Sequence, residues 1–208
     1  MRLSVSIVAA ALTIATVGFA LADTPVPAPD FTPYPAPDFV VNLPEGKSLH
    51  LNSLRGKVVV VECLFTTCPH CQETSRIFTN LQKEFGSRGF QAVGVAFNDE
   101  VFASNTIPAT VVGDFVKAFN VGYPVGWTDR SKILEFIGIT AFDRFVVPQM
   151  VWIDRKGMVR AKTQPAGLTD KEARGEPYFR QMIETLTKEP AVAPKKAATH
   201  RPVHTAQK

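Results

Sequence analysis

The sequence predicts a single α/β domain, with a central mixed β-sheet flanked by helices and preceded by a β-hairpin. Its 208 residues, 45% of them apolar, suffice for the core of one ordinary domain. Apolar β-branched runs alternate with segments of helical spacing, a pattern typical of a sheet covered by helices. The late apolar segments 149–154 and 158–162 are joined by a turn short enough to require antiparallel pairing. The sheet is therefore expected to be mixed.

The first sheet elements are predicted on either side of a turn. Apolar and polar residues over 39–43 and 48–51 flank the turn formers Pro44-Glu45-Gly46-Lys47, which indicates a β-hairpin. The following run, 58–65, is nearly continuous in apolar and β-branched residues. Such a run is typical of a central strand that is covered on both faces.

The rest of the domain alternates between helices and strands. A helix is expected after Cys68-Pro69, followed by a strand over 90–97, a helix near 111–119, a short strand over 123–127 and a helix near 131–136. Residues 169–172 have the capping-box pattern that precedes a closing helix. The apolar face of that helix comprises Tyr178, Met182, Ile183 and Leu186.

The N-terminus has the three parts of a secretory signal: Met1-Arg2, an apolar run over 3–19, and the small-x-small triplet Ala20-Leu21-Ala22. Cleavage after Ala22 is predicted, which gives an exported protein, periplasmic or otherwise extracytoplasmic. If cleavage does not occur, residues 3–22 are long enough to span a bilayer and would anchor the protein in the membrane.

The predicted domain over 38–188 lies between two irregular segments. Residues 23–37 contain six prolines, a density that favours an extended spacer and argues against regular helix or sheet. Residues 189–208 have almost no large apolar side chain and are predicted to be a disordered basic tail. The net charge of +4 resides in the two ends, so the domain itself is neutral and no nucleic-acid partner is expected.

Three cysteines, Cys63, Cys68 and Cys71, lie too close together to tie distant parts of the chain. Cys68 stands at the start of the predicted helix, where free backbone N–H groups and the helix dipole favour a thiolate. Pro69 suits the first helical turn, and Cys71 follows one turn later, within disulfide reach. Cys68 is therefore the candidate nucleophile, and Cys71 is the residue that resolves a mixed disulfide.

His70 stands between the two cysteines and can influence the charge on the Cys68 sulfur. A Cys-x-x-Cys pair can instead be half of a zinc site, but elsewhere the domain has no second such pair and no closely spaced Cys/His pair. The sequence therefore favours redox chemistry, with no metal and no cofactor expected.

The region 57–71, with its strand, dithiol and following helix, resembles the active-site region of the thioredoxin superfamily. Residues 36–39, 54–59 and 151–157 are similar to the exported, TlpA-like and peroxiredoxin-related branch of that superfamily. The resemblance covers roughly residues 36–188. It implies an exported thiol–disulfide oxidoreductase that acts on protein thiols and disulfides and is recycled by a redox partner.

The resemblance also assigns roles beyond the dithiol. Pro148 matches the cis-proline that faces the dithiol, although an ordinary proline at a strand entry is the alternative. Val147 would then present its backbone to a bound peptide. Glu62, six residues before Cys68, matches a buried acid that relays the proton of the second cysteine. Glu62 could instead reach solvent at the strand end.

Specificity is expected to depend on the residues beside the dithiol. Thr67 replaces the aromatic residue that usually precedes the first cysteine in thioredoxins, which makes the site more polar. Thr67, Pro69 and Val147 form the expected substrate-binding set. Cys63 alternates with Glu62 along the strand and is expected to be inert core.

The direction of the reaction stays open. Cys-Pro-His-Cys is the active-site sequence of the oxidising DsbA proteins, whereas the scaffold resembles TlpA-like proteins, which mostly act as reductants. Two other functions are weaker alternatives. A thiol peroxidase needs a threonine three residues before the attacking cysteine, where this chain has Phe65, and a copper-delivery protein needs cysteines spaced by three residues and a distal histidine.

Overall fold

The computed structural model describes residues 31–97, 107–140, 142–143, 145–163 and 175–190. The strands of this part of the chain are β1 (Tyr34–Pro35), β2 (Val40–Asn42), β3 (Ser48–His50), β4 (Val58–Leu64), β5 (Phe90–Ala96), β6 (Val125–Trp127), β7 (Gln149–Ile153) and β8 (Met158–Lys162). Its α-helices are α1 (Pro69–Phe85), α2 (Ala109–Ala118), α3 (Arg130–Ile137) and α4 (Glu176–Lys188).

The strands form one mixed sheet in the order β1-β8-β7-β4-β5-β6-β2-β3. The parallel pairs are β4 with β5 and β5 with β6, while β4 and β7, β7 and β8, and β2 and β3 pair in antiparallel fashion. The predicted α/β thioredoxin-like architecture, including its N-terminal hairpin, is confirmed. Strand β4 is central and every residue in it is buried, as its apolar sequence predicted.

Alternate residues of β4 point to opposite sides of the sheet. The side that we call the α1 face packs against α1, α2 and α4, and the side that we call the α3 face packs against α3 and the N-terminal hairpin. The α1 face of β4 carries Val58, Val60, Glu62 and Leu64, and its α3 face carries Val59, Val61 and Cys63. Glu62 is the only acidic or basic residue among these seven, and a buried carboxyl requires polar partners.

The hairpin joins the sheet through a close backbone approach. Strand β2 meets β6 at a single register pair, Asn42 with Trp127. A Cβ atom at Gly126 would lie 2.0 Å from the Asn42 carbonyl oxygen. Only glycine leaves room for this contact, because any side chain would push the hairpin away from β6.

The turn between β7 and β8 closes as the sequence predicted. Gly157 has a φ of +79°, the left-handed conformation that glycine adopts without strain. Asp154 stabilises the turn, since its Oδ1 accepts hydrogen bonds from the backbone N–H groups of Lys156 and Met158.

Two sequence-based expectations about the domain ends need correction. Tyr34–Pro35, within the segment 23–37 expected to be an irregular spacer, pairs with β8 as a short edge strand. Proline is tolerated there because an edge strand needs its N–H groups on one side only. At the other end, Glu189, assigned to the tail 189–208, is bound by Arg160 at 2.7 Å. The same guanidinium contacts Asp154 at 3.0 Å, which fixes the end of α4 to the sheet.

Other expectations about the ends lie outside the described residues: the signal segment 1–22, the capping pattern 169–172, and residues 191–208 of the tail. The described part of the closing helix begins at Glu176, with Gly175 as its N-cap. Among the described residues, no helix combines the length and apolar character that crossing a membrane requires.

Candidate active site

Cys68 is the N-cap residue of α1, in extended backbone conformation, with Pro69 in the first turn. Its carbonyl accepts the first helical hydrogen bond, from the Gln72 N–H at 3.0 Å. The N-cap position places Cys68 at the N-terminus of α1, where the N–H groups of the first turn have no helical partner and the helix dipole is positive. The thiol is partly exposed, so a substrate can reach it.

Cys71 lies in the first turn of α1 and is fully buried. Burial raises the pKa of the Cys71 thiol far above its usual range, and the charges of Cys68 and Glu62 raise it further. Cys68 is partly exposed and can reach a substrate, whereas the buried Cys71 needs a base to lose its proton. This is the difference expected between a nucleophile and a resolving residue.

Glu62 is fully buried on the α1 face of β4. Its Oε2 accepts hydrogen bonds from the Tyr123 hydroxyl at 2.7 Å and from the Ser75 hydroxyl at 3.1 Å. The alternative that Glu62 reaches solvent is wrong. Burial raises its pKa to about 7, although the hydrogen bonds from Tyr123 and Ser75 act in the opposite direction. At neutral pH this carboxyl can both take up and release a proton.

Sequence reasoning did not identify Tyr123 or Ser75. Ser75 carried one available signal, because it lies four residues after Cys71 on the helix and so shares its face. Tyr123 carried none, because it is 61 residues from Glu62 along the chain. The pairing of β6 with β5, the neighbour of β4, brings the Tyr123 hydroxyl within reach of Glu62.

The segment before β7 closes the other side of the dithiol. The Val147–Pro148 peptide bond is cis, as the resemblance implied, so the alternative of an ordinary strand-entry proline is wrong. The Cys68 sulfur lies 4.0 Å from the Val147 carbonyl oxygen. The structure therefore brings Cys68, Val147 and Pro148 together at one end of the sheet.

The remaining predicted residues form the rim of this site. Thr67, Pro69 and His70 are exposed around Cys68, whereas Thr66 is buried. The Gln72 side chain donates a hydrogen bond to the Thr66 carbonyl at 3.0 Å, which fixes the loop before the helix. The exposed residue directly before the nucleophile is thus the polar Thr67, where the sequence led us to expect a polar surface.

Cys63 lies on the α3 face and is fully buried among apolar residues, as predicted. Burial raises the pKa of its thiol far above the usual range, and the Glu62 charge adds to the effect. A thiol that stays protonated and inaccessible is a poor nucleophile. Among the described residues, no three Cys, His, Asp or Glu side chains are grouped to hold a metal ion.

A family model described as Redoxin matches residues 27–176, well over half of the chain. The chain belongs to the Redoxin family. Among curated proteins, it is 28% identical over 114 residues to thiol-disulfide oxidoreductase ResA of Bacillus subtilis, covering 55% of this chain and 56% of that protein. It is 24% identical over 127 residues to ResA of Halalkalibacterium halodurans, covering 61% and 64%. The chain thus spans less than two thirds of the length of either curated relative.

A solved structure shares both the fold and part of the sequence of this Redoxin-family chain. It is the thiol:disulfide interchange protein, thioredoxin family protein, of Chlorobium tepidum TLS, with a TM-score of 0.60 and 27% identity. The match covers 76% of this chain and 99% of that one. The predicted relation to TlpA-like proteins of the thioredoxin superfamily is confirmed by these matches.

Proposed function

We propose that this Redoxin-family protein is an exported thiol–disulfide oxidoreductase that exchanges disulfides with protein substrates through Cys68 and Cys71. The observation that carries the proposal is the contrast between the two sulfurs. Cys68 is partly exposed at the N-cap of α1, and Cys71 is buried near a carboxyl whose pKa is about 7. The names of the ResA relatives and of the Chlorobium tepidum protein support the same reaction class.

In the reducing direction the Cys68 thiolate attacks a substrate disulfide. One substrate sulfur becomes bonded to Cys68, and the other leaves as a thiolate that takes a proton from solvent. Glu62 then accepts the Cys71 proton, and the Cys71 thiolate attacks the Cys68 sulfur. The Cys68–Cys71 disulfide forms, the second substrate sulfur leaves, and the protein has lost two electrons. Oxidation of a substrate dithiol is the reverse sequence, and a redox partner restores the starting state.

Substrate would bind along the segment before β7. The Val147 carbonyl lies 4.0 Å from the Cys68 sulfur, so a peptide that pairs with this backbone would bring its own sulfur next to the nucleophile. The exposed residues Thr67 and Pro69 flank the same opening. The proposed substrate is therefore an extended segment of a protein that carries a thiol or disulfide.

For the direction, we propose an oxidising disulfide. Cys68 lies at the N-terminus of α1, with the exposed His70 and the polar Thr67 beside it in the sequence, and each of these features is expected to stabilise the reduced dithiol relative to the disulfide. Reduction potentials in this fold run from about −270 mV for thioredoxin to about −120 mV for DsbA. A potential near the thioredoxin value would favour the TlpA-like reductant instead.

Two measurements test the activity and its direction. Equilibration of the dithiol with glutathione gives the reduction potential, and insulin reduction by the reduced protein gives the exchange rate. Cys68→Ala is expected to abolish exchange, whereas the matched control Cys63→Ala should retain it. Exchange that survives in Cys68→Ala would contradict the proposed nucleophile.

Export is tested separately from chemistry. The mature protein is expected to begin at Asp23 and to be released outside the cytoplasm, because Ala20-Leu21-Ala22 is the predicted cleavage site. N-terminal sequencing of the protein recovered from cell fractions measures this. Recovery of Met1 on membrane-bound protein would support the anchored alternative.

A further inference from the structure

The Glu62 carboxylate is held from two separate elements. The Tyr123 hydroxyl, just before β6, donates to Oε2 at 2.7 Å, and the Ser75 hydroxyl of α1 lies 3.1 Å from the same oxygen. Tyr123 is 6% exposed and Ser75 is fully buried. Neither hydroxyl can readily exchange this contact for water, so both fix the orientation of the carboxylate.

Thr79 holds these two hydroxyl-bearing residues in place. Its hydroxyl donates to the Ser75 carbonyl at 2.9 Å and accepts the Gly122 N–H at 3.1 Å. Gly122 directly precedes Tyr123, so this one side chain ties the middle of α1 to the segment that carries the tyrosine. The contacts join α1, β4 and the start of β6 through polar groups in an otherwise apolar core.

We propose that Tyr123 is a positioning residue, held by Thr79, which orients Glu62 toward Cys71 and sets its affinity for the Cys71 proton. This inference deepens the proposed exchange reaction and rests on it. In the resolving step the S–H bond of Cys71 breaks and an O–H bond forms on Glu62, while Tyr123 keeps its own proton. Burial and the neighbouring Glu62 charge raise the pKa of Tyr123, so the phenol remains a donor throughout.

Within the part of the chain that the structure describes, few other groups can affect Glu62. The titratable groups that face it there are Tyr123 from the segment before β6 and Cys71 from α1, with Cys68 beyond. Its register partners on the neighbouring strands are Gly94 on β5 and Met150 on β7, neither of which titrates. Cys63 is affected by the Glu62 charge, but it lies on the opposite face of its own strand, and burial keeps its thiol protonated. Among the described residues, a change in Glu62 titration can therefore be assigned to those that touch it.

The first test follows the Glu62 carboxyl carbon by NMR across pH in the reduced full-length protein. The wild-type midpoint is expected near pH 7, and Tyr123→Phe should raise it by about one pH unit, a tenfold change in ionisation, because a hydrogen bond to the carboxylate is lost. Ser75→Ala should raise it less, since its hydrogen bond is longer. The controls Tyr34→Phe, on β1, and Thr187→Val, whose hydroxyl also bonds a carbonyl one helical turn back, should leave it unchanged.

The second test measures how fast Cys71 resolves a mixed disulfide between Cys68 and a model peptide, as a function of pH. The midpoint of this profile should move with the NMR midpoint in each variant. An unchanged or lowered Glu62 midpoint in folded Tyr123→Phe would overturn the proposal, as would a raised NMR midpoint with an unmoved rate profile. If Tyr123→Phe does not fold, unchanged midpoints in both Ser75→Ala and Thr79→Val would overturn it.

Failure of the proposed function gives a different result. In that case the wild-type protein would show no exchange at any pH, while the NMR titration of Glu62 would still report on Tyr123 and Ser75. The titration therefore tests the positioning contacts, and the rate profile tests their use in the reaction.

Discussion

Glu62 and Cys63 are neighbours on β4 and are equally buried, yet they lie on opposite faces of the sheet and meet different surroundings. On the α1 face, the Glu62 carboxyl accepts hydrogen bonds from the Tyr123 and Ser75 hydroxyls and interacts electrostatically with the Cys71 thiol. On the α3 face, the thiol meets aliphatic and aromatic side chains. Burial perturbs both groups, but only the first has partners that can receive or hold a proton. Because both groups are buried, burial alone does not explain the difference in their expected reactivity. The difference comes from the polar partners of Glu62 and from its position near the dithiol.

The strongest test of this comparison replaces a cysteine on each side of the strand. Cys71→Ala should reduce multiple-turnover insulin reduction by about two orders of magnitude or more and leave substrate covalently bound to Cys68, because nothing resolves the mixed disulfide. Cys63→Ala should keep wild-type turnover. Mass spectrometry of the trapped adduct and steady-state rates measure both effects. Equal loss in the two variants would break the distinction between the faces.

A second test uses the pH dependence of stability. The pKa of Glu62 is raised from 4.5 to about 7 in the folded state, so its contribution to stability is fully present below pH 4.5 and is lost as pH rises through 7. The reduced wild type should therefore lose about 3 kcal/mol relative to Glu62→Gln across this range. Denaturant unfolding at pH 4 and pH 8 measures the difference. Parallel pH profiles for the two proteins would contradict a raised pKa.

A third test moves from the buried acid to the exposed His70. His70→Ala should lower the reduction potential by about 30 mV, or about 1.4 kcal/mol, because a group proposed to stabilise the reduced dithiol is removed. The matched control His50→Ala changes an exposed histidine on β3, away from the dithiol, and should leave the potential unchanged. Glutathione equilibration measures both. If the wild-type potential is close to that of thioredoxin and His70→Ala leaves it unchanged, the proposal of an oxidising disulfide is wrong and the protein is better described as a reductant.

The smallest effect is expected from the α3 face. Cys63→Ala should cost about 1 kcal/mol of unfolding free energy, since it removes one buried sulfur from a packed core. Alkylation of the native oxidised protein should leave Cys63 unmodified, and unfolding should expose one free thiol. Rapid labelling of Cys63 in the native protein would show that this face is accessible.

Local patterns predicted most of the fold. The β-branched run of β4 and the proline after Cys68 each carry their signal in consecutive residues, so the strand, the N-cap and the helix were all expected. Strand β1 was missed, because the proline density around Tyr34 argues against sheet and edge pairing depends on a partner more than 120 residues away. The elements that the sequence did not predict are those that depend on contacts between residues far apart along the chain.

The site shows the same limit. Both cysteines and the cis-proline were expected in their observed places, but the sequence left two readings of Glu62. Tyr123 and Ser75 satisfy the buried carboxyl, but only Ser75 had a local signal, its position one helical turn after Cys71, and Tyr123 is 61 residues from Glu62 along the chain. The roles of His70, Thr67 and Val147 in exchange stay predictions.

The short strand at Tyr34–Pro35 also bears on whether another chain can add to this edge of the sheet. A sheet edge presents unpaired backbone groups to which another chain can add, and such addition is a common start of aggregation. At the β1 edge the strand is two residues long and one of them is a proline, which has no N–H to offer an incoming strand. The opposite edge, β3, has only three residues. Replacing Pro35 with valine would restore a backbone N–H on this strand, and we expect the edge then to accept an added strand more readily.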